Sequence, residues 1–449
     1  MMDTPICDFV REYASGGTLR LHMPGHKGAA YLGAEKWDIT EIGGADELYH
    51  ARGIIRKSEE NASSLFGTGR TLYSTEGSSL CIRAMLYLAL LEGRRQGRAP
   101  VLLAGRNAHK TLMTAAALLD VEIEWLPAAG EAGLLSCRTD QAALGRRLAR
   151  ARPMAVYVTS PDYLGNMEDI AALAALCHRN DVPLLVDNAH GAYLRFLPED
   201  RHPITLGADM CCDSAHKTLP CLTGAAYLHI AQGAPALYAA QAERALALFA
   251  STSPSYLILQ SLDTANRELA AGYRQRLAVF VSHVLQTKAR LQAQGFDLHG
   301  DEPMKITLAP KAYGYTGEAL HALLRELGIE CEFADPDWLV MMPAPDTGAE
   351  GLSRLEEALR AAPRRAAIAE LPPPLPRPMR ACSIREAMLA PQETVPIAQA
   401  QGRILADAHA GCPPAVPILV CGEVVDDAAI RCFRYYGKMA CNVVADEGK

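Results

Sequence analysis

The sequence has no run of eighteen apolar residues, so it offers no segment long enough to cross a bilayer as a helix. It has no C-x-x-C pair: of its thirteen cysteines only Cys211 and Cys212 are neighbours, and the rest are scattered through apolar segments. That spacing argues against a structural zinc site or a disulfide framework and for reduced thiols in a cytosolic chain. It has no basic-then-apolar leader, because MMDTPICDFVREYASGG places acidic residues where a secretion signal needs positive ones. The expected compartment is the cytoplasm. Positive charge is not in excess either: 51 acidic against 44 basic residues give a net charge of −7. Nucleic acid and anionic membrane are therefore poor candidates as main partners, while a cationic small molecule stays compatible. Internal repeats and low-complexity tails are also missing.

What is present is ample apolar material. With 449 residues, 49% of them hydrophobic and 21% charged, the chain can bury a large core in two or three domains. From about residue 100, short apolar runs alternate with helical patterns: VLLAG (101–105), VEIEWL (121–126), MAVYVTS (154–160), VPLLVD (182–187), ADMCCDS (208–214) and GAAYLHI (224–230). Such alternation predicts an α/β fold with a mostly parallel sheet covered by helices on both faces. In these sheets ligands gather outside the carboxyl ends of the strands. Residues 256–295 lack proline and keep helical periodicity, which predicts one long connecting helix ending at Gly295. The pattern then changes to a small α/β region, and LPPPLPRP (371–378) reads as a stiff linker before a last module. The expected organisation is an arm over 1–37, a large domain over 38–255, the connecting helix over 256–295, a small α/β domain over 296–370 and a C-terminal module over 371–449.

Three segments follow strands or open helices in ways that suit chemistry. In DSAHKTLP (213–220), Lys217 lies just past a predicted strand, where a desolvated amine can form an imine with a carbonyl group; taken alone it also fits a solvated loop lysine. In VDNAHGAY (186–193), Asp187 ends an apolar strand and can pair with a buried cation such as a protonated pyridine nitrogen, or can simply start a turn or cap a helix. In TEGSSLCIRAMLYLAL (75–90), Gly77, Ser78 and Ser79 lead into an apolar helix, the arrangement that makes a phosphate site and also an ordinary helix start. Together they are more telling than apart. A phosphate cradle, then a carboxylate, then an amine thirty residues later is the order a pyridoxal phosphate site requires. The amine holds the aldehyde, the carboxylate keeps the ring nitrogen protonated, and the phosphate anchor stops the ring from turning.

The chain also resembles the fold-type I, pyridoxal-phosphate-dependent decarboxylases of ornithine, lysine and arginine, in the short form without an N-terminal wing domain. The resemblance rests on LHMPGHKG (21–28), DITEIGGADELYHARGIIRKSEENASSLFGT (38–68), NAHK (107–110), VDNAHG, SAHKTLP, TSPSYLILQSLD (252–263) and SIREAMLAPQETVPIAQAQGRILA with PPAVPILVCGE (383–423). It implies a mostly parallel, seven-stranded type of sheet flanked by helices, with a smaller C-terminal α/β domain. It further implies that Lys217 is the Schiff-base lysine, that His216, Ser214, Ser78 and Ser79 serve the phosphate, and that Asp187 pairs with the ring nitrogen. By the same resemblance His190 lies near the phenolic oxygen, His109 stacks on the ring, and Thr252 reaches the phosphate of a neighbouring subunit in a homodimer whose sites lie at the interface. Glu423 matches an acidic position for the substrate's distal cation.

The pattern is departed from in places. Glu76 stands where the family usually has Asn, and Cys81 where it has a small residue. The C-terminal block reads Cys412-Pro413-Pro414-Ala415 and Cys421-Gly422-Glu423. Substrate choice is where these changes bear. His22 and His26 are four residues apart, but Pro24 and Gly25 between them break any helix, so no metal site is expected there. The implied activity is decarboxylation of lysine, ornithine or arginine to the amine and carbon dioxide, with a place in polyamine metabolism. An aminotransferase or other pyridoxal phosphate enzyme on the same scaffold, or a non-catalytic homologue, are the alternatives.

Overall fold

The computed structural model describes residues 2–129, 133–136, 138–407 and 416–445; the Cys412–Ala415 block lies outside them. Seven strands make the main sheet: β1 (Arg70–Ser74), β2 (Val101–Ala104), β3 (Glu122–Trp125), β4 (Ala155–Thr159), β5 (Leu184–Asp187), β6 (Met210–Asp213) and β7 (Ala226–Ile230). Their order is β1-β7-β6-β5-β4-β2-β3. The pairs β5–β6 and β2–β3 are parallel, whereas β7 runs antiparallel to both β6 and β1. The six apolar runs named between residues 101 and 230 are all strands, as their length predicts. β1 was not among them: RTLYS is short and opens on arginine, and its pairing with β7 is long-range. Strands β5, β6 and β7 are buried at every position, as strands covered on both faces must be.

The chain divides into two compact units, each assembled from separate stretches. The first comprises Met1–Ala99, Arg152–Tyr157 and Asp169–Leu277. In it the helix Gly77–Arg95 packs on β6, β7 and the helix Ala236–Ala247. The helix Pro5–Ser15 has no cap from its own Thr4; instead Asp263 accepts the N–H groups of Ile6 and Cys7, each at 3.0 Å. Ser58 Oγ completes that buried carboxylate's shell at 2.6 Å. A carboxylate at a helix start is favoured by both the unpaired N–H groups and the helix dipole.

The second unit comprises Pro100–Ala151, Val158–Glu168 and Ala278–Lys449. It contains a four-stranded antiparallel sheet, β8 (Asp297–His299), β9 (Ile306–Ala309), β10 (Phe333–Ala334) and β11 (Leu339–Met341), in the order β10-β11-β9-β8. Further on, β12 (Gln392–Pro396) pairs antiparallel with β13 (Ala440–Val444), and the helix Asp427–Tyr435 closes their apolar core with Ile430 and Phe433. Asp337 binds Lys311 at 2.7 Å and the Tyr435 hydroxyl at 2.6 Å, fastening that helix to the loop between β10 and β11.

The expected single helix over 256–295 is two helices, Tyr256–Ala270 and Tyr273–Ala293. The break falls at Ala271–Gly272, where Gly272 takes φ = 81°, a left-handed conformation that ends a helix and that glycine adopts without cost. Compactness also groups residues 100–151 with the C-terminal half, which boundaries drawn along the sequence do not anticipate. Among the described residues no helix is long and apolar enough to cross a membrane.

Candidate active site

The amine comes from the exit of β6. Four buried residues, Met-Cys-Cys-Asp, hold the strand in place, and the chain then makes one helical turn, Ala215–Thr218. Lys217 N donates to Ser214 O at 3.0 Å within that turn, and the side-chain amine of Lys217 lies 2.8 Å from His190 Nε2. His190 itself belongs to the turn that follows β5. His216 faces another way: its backbone N–H and its Nδ1 both meet Ala225 O, at 3.2 and 2.9 Å. A carbonyl oxygen accepts, so Nδ1 of His216 carries a proton.

Asp187 ends β5 and is buried. It accepts from the Tyr157 hydroxyl at 3.0 Å, from Ala189 N at 3.1 Å and, more weakly, from the Cys212 thiol at 3.7 Å. Burial pushes both the Tyr157 phenol and the Cys212 thiol well above their ordinary ranges, with the Asp187 charge adding to the effect, so both remain protonated donors. All three donors are neutral, and among the described residues Asp187 forms no ion pair.

The helix Gly77–Arg95 begins without a side-chain cap from Glu76. Gly77 has φ = 70° with open space where a Cβ would stand, and its N–H donates to Gly224 O at 2.8 Å. Gly224 has φ = 96°, and a Cβ there would come within 2.9 Å of Thr75 O, so a side chain could not be accommodated without moving backbone. The two glycines thus hold the segment after Lys217 against the helix start. Ser214 Oγ donates to Ser78 Oγ at 2.8 Å, linking the β6 exit to the same helix, and Ser79 follows in its first turn. The Glu76 carboxylate accepts from Ser251 N at 2.8 Å, beside the exposed Thr252. Cys81 is buried, its sulfur 3.9 Å from Gly77 O.

His109 and Glu423 belong to the second unit. His109 is the N-cap of the helix Lys110–Leu119: Nδ1 accepts from Thr111 N at 3.2 Å and lies 2.9 Å from Thr111 Oγ1. With that lone pair engaged, a neutral His109 carries its proton on Nε2. Glu423 is buried and meets a cation of its own chain, Arg106, at 3.0 Å; Val420 N donates to the same oxygen at 2.7 Å. The Arg106 guanidinium also lies 5.0 Å over the Trp125 ring. Burial pushes the Glu423 carboxyl up and Arg106 opposes it. The acidic position matched to a substrate cation therefore already holds an arginine, 317 residues away in sequence. Neither Arg106 nor Tyr157 was singled out from the sequence; Tyr157 hides inside an apolar strand, and nothing local marks Arg106 as the partner of Glu423.

His22 and His26 do not converge. His22 Nε2 meets the Tyr13 hydroxyl at 2.6 Å, and His26 Nε2 meets Asp38 at 3.2 Å.

A mostly parallel sheet with an amine-bearing turn at a strand exit, a buried carboxylate at the next exit and a glycine-serine helix start is the architecture of the fold-type I pyridoxal phosphate enzymes. Within that class the chain belongs to the Orn/Lys/Arg decarboxylase family, a family of carboxy-lyases. Residues 4–302 match its description "Orn/Lys/Arg decarboxylase, major domain", and residues 364–443 match "Orn/Lys/Arg decarboxylase, C-terminal domain". The chain is similar to an arginine decarboxylase of Bacillus subtilis, 29% identical over 467 residues, with 95% of this chain and 92% of the relative covered. It is likewise 29% identical over 470 residues to an arginine decarboxylase of Halalkalibacterium halodurans, with 96% of this chain and 93% of the relative covered. In structure it resembles a lysine decarboxylase of Francisella novicida, with a TM-score of 0.79 at 17% identity and coverage of 98% of this chain and 81% of the other.

Proposed function

We propose that this chain decarboxylates a basic amino acid, with pyridoxal phosphate as cofactor, and that arginine is the substrate to assay first. The observation that carries the reading is the presence, in one unit, of the Lys217 amine 2.8 Å from His190 and of a buried Asp187 carboxylate whose donors among the described residues are all neutral. Relatives named arginine decarboxylase over more than nine-tenths of their length support the substrate order.

The residues fit the cofactor. The start of the helix Gly77–Arg95, lacking a side-chain cap and opening on a glycine with free space beside it, suits a phosphate, with Ser78, Ser79 and Ser214 as hydroxyl donors. Among the described residues Asp187 has no cation partner, and it would hold a protonated ring nitrogen. His216, with Nδ1 committed to Ala225 O, would offer Nε2 to the phosphate. The exposed Thr252 is the residue we assign to the phosphate of a second subunit in a homodimer. When bound, the cofactor supplies an electron-withdrawing ring that accepts the electron pair released as carbon dioxide leaves.

The chain's own part is to bind, orient and move protons. Lys217 would hold the cofactor through its side-chain amine, and His190, 2.8 Å from that amine, would take or return a proton at the lysine nitrogen. Asp187 would keep positive charge on the ring nitrogen, with Tyr157 and the Ala189 N–H holding the carboxylate in place. His109 keeps a proton on Nε2 because Nδ1 caps its helix, and we assign it to the ring face.

The test is release of amine and carbon dioxide from arginine, lysine and ornithine by protein loaded with pyridoxal phosphate. Release from one of them, lost in Lys217→Ala, is the expected result. A loaded protein that forms a keto acid instead of an amine, or releases nothing from all three, would overturn the reading.

A further inference from the structure

Directly beneath this chemistry lies a buried cluster with no role so far. Asp213, the last residue of β6, is completely buried with three donors on its carboxylate. Asn188 Nδ2 donates to Oδ1 at 2.7 Å, and the Nε2 atoms of His202 and His229 reach Oδ2 at 3.1 and 3.2 Å. Thr71 Oγ1 meets Nδ1 of His229 at 2.8 Å, fixing that ring from its other side. Burial by itself would push the Asp213 carboxyl up, but the two imidazoles outweigh it and hold the group well below the usual carboxylate range. His229, by contrast, is pushed down by burial, which favours a neutral ring that donates from Nε2. The result is a buried anion satisfied by hydrogen bonds.

His202, Cys211 and Asp213 lie close enough together to suggest a metal site. The geometry favours another use. Both imidazoles aim at one carboxylate oxygen, and burial pushes the Cys211 thiol well above its ordinary range, away from the thiolate a metal would bind.

We propose that Asp213 is a positioning residue that ties the two strand exits of the site together through Asn188. Its own backbone continues directly into Ser214 and the turn bearing Lys217. Asn188 stands between Asp187 and His190 in the turn after β5, and its orientation is fixed three times over. Its side chain donates to Asp213, its N–H donates to Cys212 O at 3.0 Å, and its carbonyl accepts from Gly191 N at 2.8 Å. Because Asp213 can only accept, the amide must turn Nδ2 toward it. That orientation leaves Asn188 Oδ1 buried with no partner among the described residues, an arrangement that persists only if the Asp213 contact dominates. One buried charge thus sets the separation of Asp187 and His190 from Lys217. The inference rests on the reading of Lys217 and Asp187 as a pyridoxal phosphate site.

The test compares wild type with Asn188→Ala, which cuts the tie but leaves Asp213 its two imidazoles, and with Asp213→Asn, which removes the charge. Asp213→Asn strands buried donors and is the variant at risk of not folding, so Asn188→Ala carries the decision. Each protein is loaded with pyridoxal phosphate and reduced with borohydride, and the adduct on Lys217 is read by mass. The visible band is titrated with pH, and kcat and KM are measured. In Asn188→Ala the adduct is expected to form, with the band's midpoint moved upward by about half a unit because a loosely held Asp187 keeps less positive charge on the ring. Its kcat is expected to fall about ten- to a hundredfold, as for loss of an outer-shell orienting partner, with KM within about threefold. An Asn188→Ala protein that melts earlier yet keeps the wild-type midpoint and kcat would make the contact merely structural and overturn the proposal. No adduct in the wild type would instead remove the cofactor reading itself.

Discussion

Asp187 in the first unit and Glu423 in the second are both buried carboxylates, yet they are satisfied in opposite ways. Asp187 is surrounded by a phenol, a backbone amide and a thiol, none of them charged. Glu423 has an arginine at 3.0 Å that is itself held over an indole. A buried carboxylate with neutral donors keeps its full charge available to a cation brought from outside, whereas one already paired has spent that capacity on its own fold. The difference separates an acid still able to take up a cation from one already paired within the fold more sharply than burial does. Glu59, in the helix Ile54–Phe66, marks a third case: it accepts from Tyr73 N at 3.0 Å, but its Oε2 is buried with no hydrogen-bond partner among the described residues. Burial pushes its carboxyl up to about 8.

The contrast can be broken at each point. Under the proposed function, Asp187→Asn removes the carboxylate assigned to the ring nitrogen and should lower kcat on the order of 10²–10³-fold with little loss of stability, the size expected for one preorganised electrostatic partner. An Asp187→Asn protein that melts earlier while kcat is unchanged would put Asp187 among the structural acids. Arg106→Ala should do the reverse, destabilising the fold by about 3 kcal/mol by leaving a buried carboxylate unpaired, visible as an earlier melting transition. If Arg106→Ala melts normally and binds free guanidinium no better than wild type, Glu423 is not held as described.

Glu59 gives a pH test. Its folded pKa of about 8 lies above an unfolded value near 4.3, so the native state holds a proton that the unfolded state has released between those limits. Stability is then fully present below about pH 4.3 and falls as pH rises toward 8, and Glu59→Gln should remove that fall. Between pH 5 and 7 the variant should gain about 2 kcal/mol on wild type, read from urea midpoints at each pH; parallel curves would refute it. The smallest effect is expected from Tyr157→Phe. Losing one hydrogen bond to a charged group should cost about 1.5 kcal/mol, roughly tenfold in kcat, with Asp187 still held by Ala189 N.

Much of this was legible in the chain. Six of the seven strands follow from short apolar runs, and Lys217, Asp187 and Ser78 could be singled out because each stands where such a run ends or an apolar helix begins. β1 escaped because its apolar pattern is brief and its partner β7 lies more than 150 residues away. Gly272 was in plain view, but periodicity on either side concealed that it turns the chain. Partners escaped more often than principals. Tyr157, Arg106 and the imidazoles on Asp213 all act through contacts that tertiary folding makes, and a residue's type says what it can bond without saying with whom.

The first unit is also discontinuous, built from Met1–Ala99, Arg152–Tyr157 and Asp169–Leu277. A ribosome adds about 5–20 residues per second, so on the order of tens of seconds pass before Leu277 emerges and the unit that holds Asp187 and Lys217 can close. During that interval β5 and β6 are made while their full set of neighbours is not. Nascent chains of this protein should therefore expose apolar strand surface for longer than a chain folded from one contiguous stretch, and should depend correspondingly more on holding chaperones as translation slows.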